Sequence, residues 1–311
     1  MGGNNYEDLP FFQPSGITAK KYITYDINEY GTSVGAEMYG FDRMPSYAFY
    51  GETGISTINI IDSAGSVASI GEHAFDGCWN LINIINFPTW VSSIGEYAFN
   101  QCNNLELSSL PDGLTYIKPW TFGGCTKITL SSLPWGIEEI QESGFNYCTS
   151  ITLSELPETL IYIGSAAFKQ CYNLALTSIP DSVDFLGDSA FYGCTGLKTM
   201  KLKCNIGKAG GDAEALDDGQ TFGWCDGLTH VWLSEGIEDI YAGSNNINAP
   251  FKGCSSNLVL YTDVVDANNV PSGWVNTWDN YSELDKLTVI YNTSESDFNN
   301  IVNSAYGETI Y

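Results

Sequence analysis

Eight of the nine cysteines share one local motif, in which a phenylalanine precedes the cysteine by three residues. Thiols can form disulfides, bind metal ions or act as nucleophiles. A metal site needs clustered ligands and a nucleophile needs a nearby base, whereas these thiols recur as equivalent copies about 23 residues apart. We therefore expect buried structural thiols, without a metal or another cofactor. Cys204 lies outside the motif and is the one candidate for a reactive surface thiol.

The motif belongs to a longer repeat. An aliphatic residue lies five positions before each of the first six phenylalanines, and another lies three positions after each of the first seven cysteines. Self-similarity at a fixed period of this length is the signature of a repeat architecture. The phenylalanines are Phe75, Phe99, Phe122, Phe145, Phe168, Phe191, Phe222 and Phe251, and the cysteines are Cys78, Cys102, Cys125, Cys148, Cys171, Cys194, Cys225 and Cys254.

Each repeat translates into one coil of backbone. A segment such as "LELSSLP" alternates apolar and polar residues, which predicts a short strand, and the proline that ends it predicts a turn. A second short extended piece such as "LTYI" follows, and then the Phe-x-x-Cys bend. One coil cannot bury its own apolar side, so stacked coils should form a solenoid with one continuous core. Nine coils at the strand spacing give a length of about 40 Å.

The repeated pieces "IGEHAFDGCWNL", "IGEYAFNQCNNL" and "IGSAAFKQCYNL" resemble the BspA-like leucine-rich repeat family over about residues 41 to 258. The resemblance implies a right-handed leucine-rich-repeat solenoid of short parallel strands used for adhesion and protein binding. Such proteins occur on the surfaces of gut and oral bacteria and some protists, and similar arrays occur in tailed phages. "PSGWVNTWDNY" looks like the sequence that often closes these arrays. Two departures are the longer spacings before Phe222 and Phe251, which predict loops, and Glu52 in a cysteine position, which predicts an end coil.

Three segments follow from the repeat boundaries. Residues 1–40 have no matching coil and are predicted to cap the array or attach it to a larger assembly, residues 41–258 form the repeats, and residues 259–311 form a C-terminal cap. An open solenoid end would expose core and strand edges, so covering is required. The C-terminal cap is predicted to contain a short helix that starts at Ser294 or Ser296, ends near Gly307 and has on one face Phe298, Ile301 and Val302.

The composition excludes several classes of partner. The net charge is −25 and Arg43 is the only arginine, so a nucleic acid backbone would be repelled. No apolar run approaches 18 residues, which argues against membrane insertion. The start "MGGNNYEDLPFFQ" lacks the regions of a secretory signal. A location outside the cell, on a cell surface or on a virion surface is nevertheless expected from the resemblance.

Surface columns between the core positions are the places for ligand contacts. On the second extended piece we single out Tyr116, Tyr162 and Phe185, whose column is flanked by Glu138, Ile161 and Asp184. Trp120 and Trp135 occupy turn positions that are small or polar in other coils. Aromatic rings next to carboxylates suit protein or sugar contacts. The alternative is that these rings only cover neighbouring coils.

Two further sets of residues could bind calcium or act in catalysis. Acidic residues of the insertion 205–220 could hold calcium, but their spacing does not match an EF-hand loop, and a solvated acidic loop is expected. His73 and His230 have no partners that a stack of coils would bring together, so no catalytic residues are predicted and an enzyme is not expected. The acidic residues are Asp212, Glu214, Asp217 and Asp218.

The sequence therefore predicts a non-catalytic binding or adhesion module that presents a rigid repeat surface to a protein or glycan ligand on a cell surface. The alternative is a structural or receptor-binding protein of the virion or tail of a phage of gut bacteria. In that alternative, residues 1–40 would attach the protein and the solenoid would project.

Overall fold

The computed structural model describes residues 22–27, 33–39, 43–61, 67–206, 220–240, 250–274, 280–281 and 285–306. The acidic residues considered for calcium and most of the N-terminal segment lie outside these ranges. The elements of the described residues are β1 (Tyr22–Ile27), β2 (Ser33–Tyr39), β3 (Thr57–Ile61), β4 (Ser69–Ile70), β5 (Asn83–Ile85), β6 (Ser93–Ile94), β7 (Tyr116–Ile117), β8 (Glu139–Ile140), β9 (Tyr162–Ile163), β10 (Phe185–Leu186), β11 (Thr199–Leu202), β12 (Asn205–Ile206), β13 (His230–Leu233), β14 (Asp239–Ile240), β15 (Val259–Thr262), β16 (Gly273–Trp274), β17 (Asn280–Tyr281), β18 (Asp285–Lys286), β19 (Thr288–Ile290) and α1 (Glu295–Tyr306).

The second extended piece of each coil forms the longest sheet. Its strands are two residues long and pair in parallel with their neighbours in the order β16-β14-β12-β10-β9-β8-β7. The register aligns equivalent repeat positions, so that Tyr116 lies beside Glu139 and Tyr162 beside Phe185. In the six strands β7 to β10, β12 and β14, the second residue is an aliphatic side chain that is buried in the core. The predicted solenoid of short parallel strands is confirmed.

The first extended piece differs from the prediction in the middle coils. "LELSSLP" and its equivalents form no strand there. Each of these segments makes only a few backbone hydrogen bonds to a neighbouring coil before it reaches its proline. One example is the bond from Thr129 N to Leu107 O of the preceding coil. Longer strands form at this position towards the two ends. They are β3 and β5 in one sheet, and β11, β13, β15 and β19 in another.

The core is built on a ladder of stacked phenylalanine rings. Phe49 belongs to this ladder, so the ladder contains one coil more than the eight coils with the Phe-x-x-Cys motif. Successive ring centroids are 5.0 to 5.6 Å apart and the ring planes are nearly parallel. All nine rings are buried, and they span eight steps of the solenoid. The members of this phenylalanine ladder are Phe49, Phe75, Phe99, Phe122, Phe145, Phe168, Phe191, Phe222 and Phe251.

The repeated cysteines form a second ladder beside the rings. Each thiol donates a hydrogen bond to the backbone carbonyl of the phenylalanine in the preceding coil, at 2.9 to 3.1 Å. Each of these carbonyls also accepts the backbone N–H three residues later in its own coil, as Phe122 O does from Cys125 N at 3.1 Å, so the thiol is a second donor that links neighbouring coils. Phe49 is the first ring, so its own coil has no earlier phenylalanine carbonyl to receive a thiol, and Glu52 occupies the cysteine position.

All nine thiols are free and buried. Burial raises the pKa of Cys78 and of Cys204 to about 12. The prediction of a reactive Cys204 is therefore wrong: its side chain lies against the core just before β12, although it is outside the repeat register.

The N-terminal end of the array is covered by a hairpin. β1 pairs with β2 in an antiparallel arrangement, and β2 continues in parallel with β3 of the first coil. The hairpin supplies hydrogen bonds to an edge that would otherwise be unpaired.

Near the C-terminal end, β19 pairs with the edge of β15, and α1 packs on the outer face of β13 and β15. Ser294 caps the helix, since its hydroxyl accepts from the backbone N–H of Asp297 at 3.1 Å and donates to the Asp297 carboxylate. Phe298 and Val302 pack in a second small core with Trp232 and Tyr261. The Ser294 cap and the burial of Phe298 and Val302 agree with the prediction. The prediction for Ile301 is wrong, because this side chain is exposed.

Ion pairs fix the start of α1 to the solenoid. Glu295 contacts Lys201 and Lys203, each at 3.1 Å, and Lys203 also contacts Asp181 at 3.0 Å. In the described residues, no helix has the length and apolar character needed to cross a membrane.

Thiol reactivity tests the thiol ladder. We expect the native protein to react with a neutral maleimide at about pH 8 at least about a hundredfold more slowly than the protein unfolded in urea, because buried thiols with a raised pKa present little thiolate. The variant Ser131→Cys, which places a thiol on an exposed position of a middle coil, should react fast in the native state. Rapid native labelling of Cys194, located by peptide mass mapping, would contradict the ladder, and rapid labelling of Cys204 would contradict its burial.

The pH dependence of stability tests the junction of α1 with the solenoid. Burial lowers the pKa of His230 below its ordinary value of 6.5. Between the lowered value and 6.5, the unfolded chain therefore binds a proton that the folded chain does not. The free energy of unfolding should fall as the pH drops through this window and should recover above it.

Chemical denaturation at several pH values measures the effect, with His230→Gln as the control that lacks the titrating group. His230 stacks on Tyr261 and lies within hydrogen-bonding distance of the Thr229 and Tyr306 hydroxyls. An identical pH dependence in the wild type and in His230→Gln would show that the imidazole does not report on this junction.

Candidate binding surface

The position two residues before each core phenylalanine has a left-handed backbone conformation in seven coils. The φ angles lie between 52° and 59°, a region that costs a residue with a Cβ about 1–2 kcal/mol. In the first four coils this column carries aromatic side chains, and in the next three it carries small ones. Since small residues adopt the same backbone conformation in the next three coils, the conformation of the coil does not require aromatic side chains. The column contains Tyr47, His73, Tyr97, Trp120, Ser143, Ala166 and Ser189.

The four aromatic side chains stack on one another along the outside of the solenoid. The ring centroids of Tyr47 and His73 are 4.8 Å apart, those of His73 and Tyr97 are 4.7 Å apart, and those of Tyr97 and Trp120 are 6.1 Å apart. Neighbouring planes differ by 15° or less. Tyr50 adds its ring at a steep angle to His73. We call Tyr47, His73, Tyr97 and Trp120 the ring stack.

Hydrogen bonds and one glycine orient the ring stack. His73 Nδ1 lies 2.7 Å from the carboxylate of Asp76, which also accepts from the Asn100 amide at 2.9 Å. A Cβ at Gly123 would lie 2.7 Å from the indole of Trp120, so the indole occupies space that only glycine leaves free. The stack is thus held by contacts within and between coils. Tyr47 remains 53% exposed at its open end.

Carboxylates line one side of the ring stack. Glu72, Glu96 and Glu142 directly precede column positions, and all three are exposed. The pKa of Tyr97 is raised by burial and then by the negative charges of Glu142, Glu96 and Asp76. Several carboxylates thus act on one phenol, and the surface combines aromatic area with negative potential.

The arrangement offers contact area rather than reactive groups. Among the described residues, no group of three or more His, Cys, Asp or Glu side chains is placed to hold a metal ion. A cavity of about 280 Å³ lies between α1 and β11. Its charged groups Lys201, Lys203 and Glu295 pair with one another, so the cavity contributes to the docking of α1.

The repeat agrees with a known family along most of its length. A model of the BspA type leucine rich repeat region matches residues 42–174 and 121–216 in six copies, and these ranges together cover more than half of the chain. The chain belongs to the BspA-type leucine-rich repeat family. The resemblance noted from the sequence is therefore confirmed.

Solved structures of similar fold also contain leucine-rich repeats. A leucine-rich repeat protein from Bacteroides ovatus is 22% identical, with 77% of each chain covered and a TM-score of 0.45. A leucine rich cell surface protein from Faecalibacterium prausnitzii is 18% identical, with 93% of this chain and 97% of that chain covered and a TM-score of 0.41. A leucine-rich repeat protein from T. pallidum is 23% identical, covering 57% and 80%, with a TM-score of 0.30. A search of curated proteins finds no match.

The predicted strand residues of this BspA-type array lie on one column but do not form one cluster. Tyr162 and Phe185 stack with their centroids 6.5 Å apart. Glu139 separates Tyr162 from Tyr116 in the sheet register. The Tyr116 hydroxyl donates to Glu138 at 3.1 Å, and this bond raises the pKa of Tyr116. We call Tyr116, Glu139, Tyr162 and Phe185 the strand column, and its role in binding stays a prediction.

The two predicted tryptophans have different surroundings. Trp120 belongs to the ring stack, where one face of the indole is covered by Tyr97. Trp135 is 77% exposed at its turn, and no other ring contacts it in the described residues. The backbone carbonyl of Trp135 accepts from Thr159 of the next coil. Trp135 is therefore an isolated ring, and its role in binding also stays a prediction.

The sequence contains a pattern that indicates the ring stack, although only Trp120 of its four residues is among the predicted binding residues. Aligning Ala48 and Phe49 with the repeated Ala-Phe pair puts Tyr47 in the column of His73, Tyr97 and Trp120. Sequence reasoning singles out His73 and Trp120 separately and does not predict a continuous row of rings. In BspA-type repeats, such an alignment places equivalent side chains on adjacent coils, where rings can stack.

The contact between Trp120 and Gly123 can be tested directly. Gly123→Ala should displace the indole, because the new Cβ would lie 2.7 Å from Cε3 of the ring. The indole N–H cross-peak of Trp120 in a ¹⁵N–¹H spectrum, identified with Trp120→Phe, should therefore shift. Gly113→Ala is the matched control, since its nearest neighbour lies at 3.4 Å. An unchanged cross-peak in Gly123→Ala would show that the indole does not rest on this glycine.

Proposed function

We propose that this BspA-type repeat protein is a non-catalytic binding or adhesion module that presents the ring stack to a protein or glycan ligand on a cell surface. The observation that carries the proposal is the run of four stacked rings at left-handed positions. The equivalent positions of the next three coils are occupied by small residues. Side chains that the fold does not require are available for ligand contacts. Tyrosine and tryptophan are also enriched among residues that dominate binding energy.

The rigidity of the scaffold supports the same function. The phenylalanine ladder and the thiol ladder fix each coil to its neighbours through buried contacts. Rings that are already stacked lose little conformational entropy when a ligand binds. The ring stack is thus organised for contact before the ligand arrives.

A location outside the cell is part of the proposal. Free thiols in an oxidising environment are at risk of oxidation when they are accessible. All nine thiols here are buried, and burial raises the pKa of those in the middle coils well above the ordinary value. The cysteine-rich core is therefore compatible with an extracellular or cell-surface location.

The strand column and Trp135 are proposed as secondary contacts. Tyr116 and Trp135 are exposed, whereas Tyr162 and Phe185 are half-buried. The alternative of a phage virion or tail protein would place the attachment in residues 1–40, of which the structure describes β1 and β2. No specific contact favours that alternative, and it stays a prediction from the sequence.

Binding measurements with two sets of variants test the proposed surface. The first set is Tyr97→Ser with Trp120→Ser, which introduces the residue that the repeat itself uses at positions 143 and 189. The second set is Tyr116→Ser, Tyr162→Ser and Phe185→Ser in one chain. The labelled proteins are applied to a glycan array and to cultured epithelial cells. The first set should weaken binding by about tenfold or more, because two aromatic contacts are lost.

Thermal unfolding and native thiol protection show whether each variant keeps the fold. A loss of binding only in the second set would assign the function to the strand column instead. Unchanged binding in both sets, with the fold intact, would reject the proposed surface.

A further inference from the structure

A second left-handed column lies on the Phe-x-x-Cys bend. It occupies the position two residues after each core phenylalanine, and its φ angles lie between 57° and 77° in all nine coils. Five coils have glycine there, the residue that adopts this conformation most readily. The other four coils keep a larger side chain, and the largest of these is the exposed Trp224. The glycines are Gly51, Gly77, Gly124, Gly193 and Gly253.

The indole of Trp224 lies flat on the backbone of the next coil. A Cβ built at Gly253 would lie 2.7, 2.9 and 3.0 Å from Cδ2, Cε2 and Cγ of the indole. Cδ2 and Cγ carry the six-membered ring and the side-chain stem, so an approach in the ring plane would meet other atoms first. The Cβ direction of Gly253 therefore points at a face of the indole. Trp120 differs, because the peripheral atom Cε3 is the one nearest to Gly123.

The other face of this indole is accessible to solvent. Trp224 is 51% exposed, and an indole that rests with one face on a backbone reaches this value only when its second face is open. The backbone is fixed as well, since Trp224 N–H donates to Lys252 O of the next coil at 2.7 Å. A flat apolar group can stack on such a ring. We call Trp224 on Gly253 the indole platform.

A hydrogen-bond donor lies in the coils just before the indole platform. Gln170 belongs to the same column, and its Cγ lies 3.2 Å from a Cβ built at Gly193, so the side chain leans over Gly193 towards the coil of Trp224. Its Oε1 accepts from the Tyr172 hydroxyl at 2.9 Å. In the residues that the structure describes, no acceptor contacts Gln170 Nε2. This donor is available to a ligand.

The rings beside the platform are separated by polar groups. Tyr172 is exposed and lies two coils before Trp224, and the core phenylalanines of these successive coils are 5.4 and 5.2 Å apart. The coil between them has the exposed Thr195 at the position equivalent to Tyr172. In the part of the chain that the structure describes, no ring contact joins Tyr172 to Trp224. The surface thus consists of single rings with hydrogen-bonding groups between them.

This pattern fits a sugar chain better than a protein. The centre of a protein interface is a packed apolar area. A pyranose ring has apolar C–H faces and a rim of hydroxyl groups, so it pairs one aromatic face with nearby hydrogen-bonding side chains. The net charge of −25 repels an acidic glycan, and Asp226 lies exposed two residues after Trp224. An uncharged glycan is therefore favoured.

We propose that the indole platform is a second binding site, which takes a linear, uncharged glycan that runs along the solenoid axis. One pyranose ring stacks on the open face of Trp224, and a hydroxyl of its neighbour accepts from Gln170 Nε2. The two coil steps to Tyr172 measure about 10 Å, which a glycan of about three sugar units spans. The site lies outside the ring stack, so the inference goes beyond the binding function proposed above.

Titration with defined oligosaccharides tests this inference on the full chain. The probes are cellohexaose, mannohexaose and xylohexaose, which are neutral and linear, and the comparison ligands are their monosaccharides and the acidic hexagalacturonate. The readout is the indole N–H cross-peak of Trp224 in a ¹⁵N–¹H spectrum, identified with Trp224→Gly. At least one hexasaccharide should shift this cross-peak to saturation and bind at least about tenfold more tightly than its monosaccharide and hexagalacturonate. No saturable shift with any of the three would overturn the inference.

Three single variants show whether the platform carries the affinity, measured by calorimetry with the hexasaccharide that binds. Trp224→Gly introduces the residue that five other coils use and should weaken binding at least about tenfold. Gln170→Met keeps the length of the side chain without the donor and should cost about fivefold. Trp79→Asn is the matched control, since it replaces another exposed tryptophan by the residue found at the equivalent Asn103, and should change binding by less than about twofold. Unchanged affinity in Trp224→Gly, or an equal loss in Trp79→Asn, would overturn the inference.

The ring-stack variants distinguish failure of this inference from failure of the proposed function. Tyr97→Ser with Trp120→Ser lies four coils away and should leave the affinity for the hexasaccharide within about twofold of the wild type. If the hexasaccharide shifts only the Trp120 cross-peak, the glycan binds the ring stack, so the inference is wrong and the proposed function holds. If it binds at Trp224 while the ring-stack variants attach to cells and to the array as the wild type does, the inference holds and the proposed function fails.

A protein ligand at the platform would give a further result. If Trp224→Gly weakens attachment to cells while no hexasaccharide binds, the partner is a protein and the inference is wrong. Unfolding midpoints of all variants close to the wild-type value exclude loss of the fold as the cause.

Discussion

Each coil of this protein must match its neighbours at one fixed separation, and the hydrogen bond from a cysteine thiol to the preceding phenylalanine carbonyl enforces that match inside the core. The thiol is small enough to lie beside a stacked ring and donates to a buried carbonyl of the preceding coil, which also accepts a backbone N–H within its own coil. The parallel strands, the ring planes and the surface columns all follow from the resulting alignment of coils. The buried thiols therefore have a structural role in joining the coils.

Much of the fold could be predicted because a repeat makes its own periodicity visible. The spacing of Phe122 and Cys125 in successive coils specifies the core, and Ser294 marks the start of the C-terminal helix. The prediction for Ile301 was wrong because helical periodicity gives a face but not how much of it the solenoid covers. The prediction for Cys204 was wrong because position in the repeat does not determine burial where the chain leaves the repeat.

The candidate surface was predictable only in part. Trp120 was recognised as an aromatic residue at a variable turn position, but its partners come from three other coils, and the stacking depends on where a left-handed backbone directs their side chains. Tyr116 and Tyr162 share a column in the sequence, yet Glu139 lies between them in the sheet. Alignment gives the membership of a column, whereas contact also depends on the size and charge of the intervening side chains.

The left-handed column accepts residues as different as Trp120, Ala166 and Ser189 with almost the same backbone angle. A change at this position therefore alters the outer surface of one coil while the buried ladders remain as they are. Each coil thus contributes one outer side chain whose size can differ from coil to coil, although the indole at position 120 also needs glycine at position 123. Single substitutions at these positions can therefore change the outer surface of the protein while the buried core keeps its contacts.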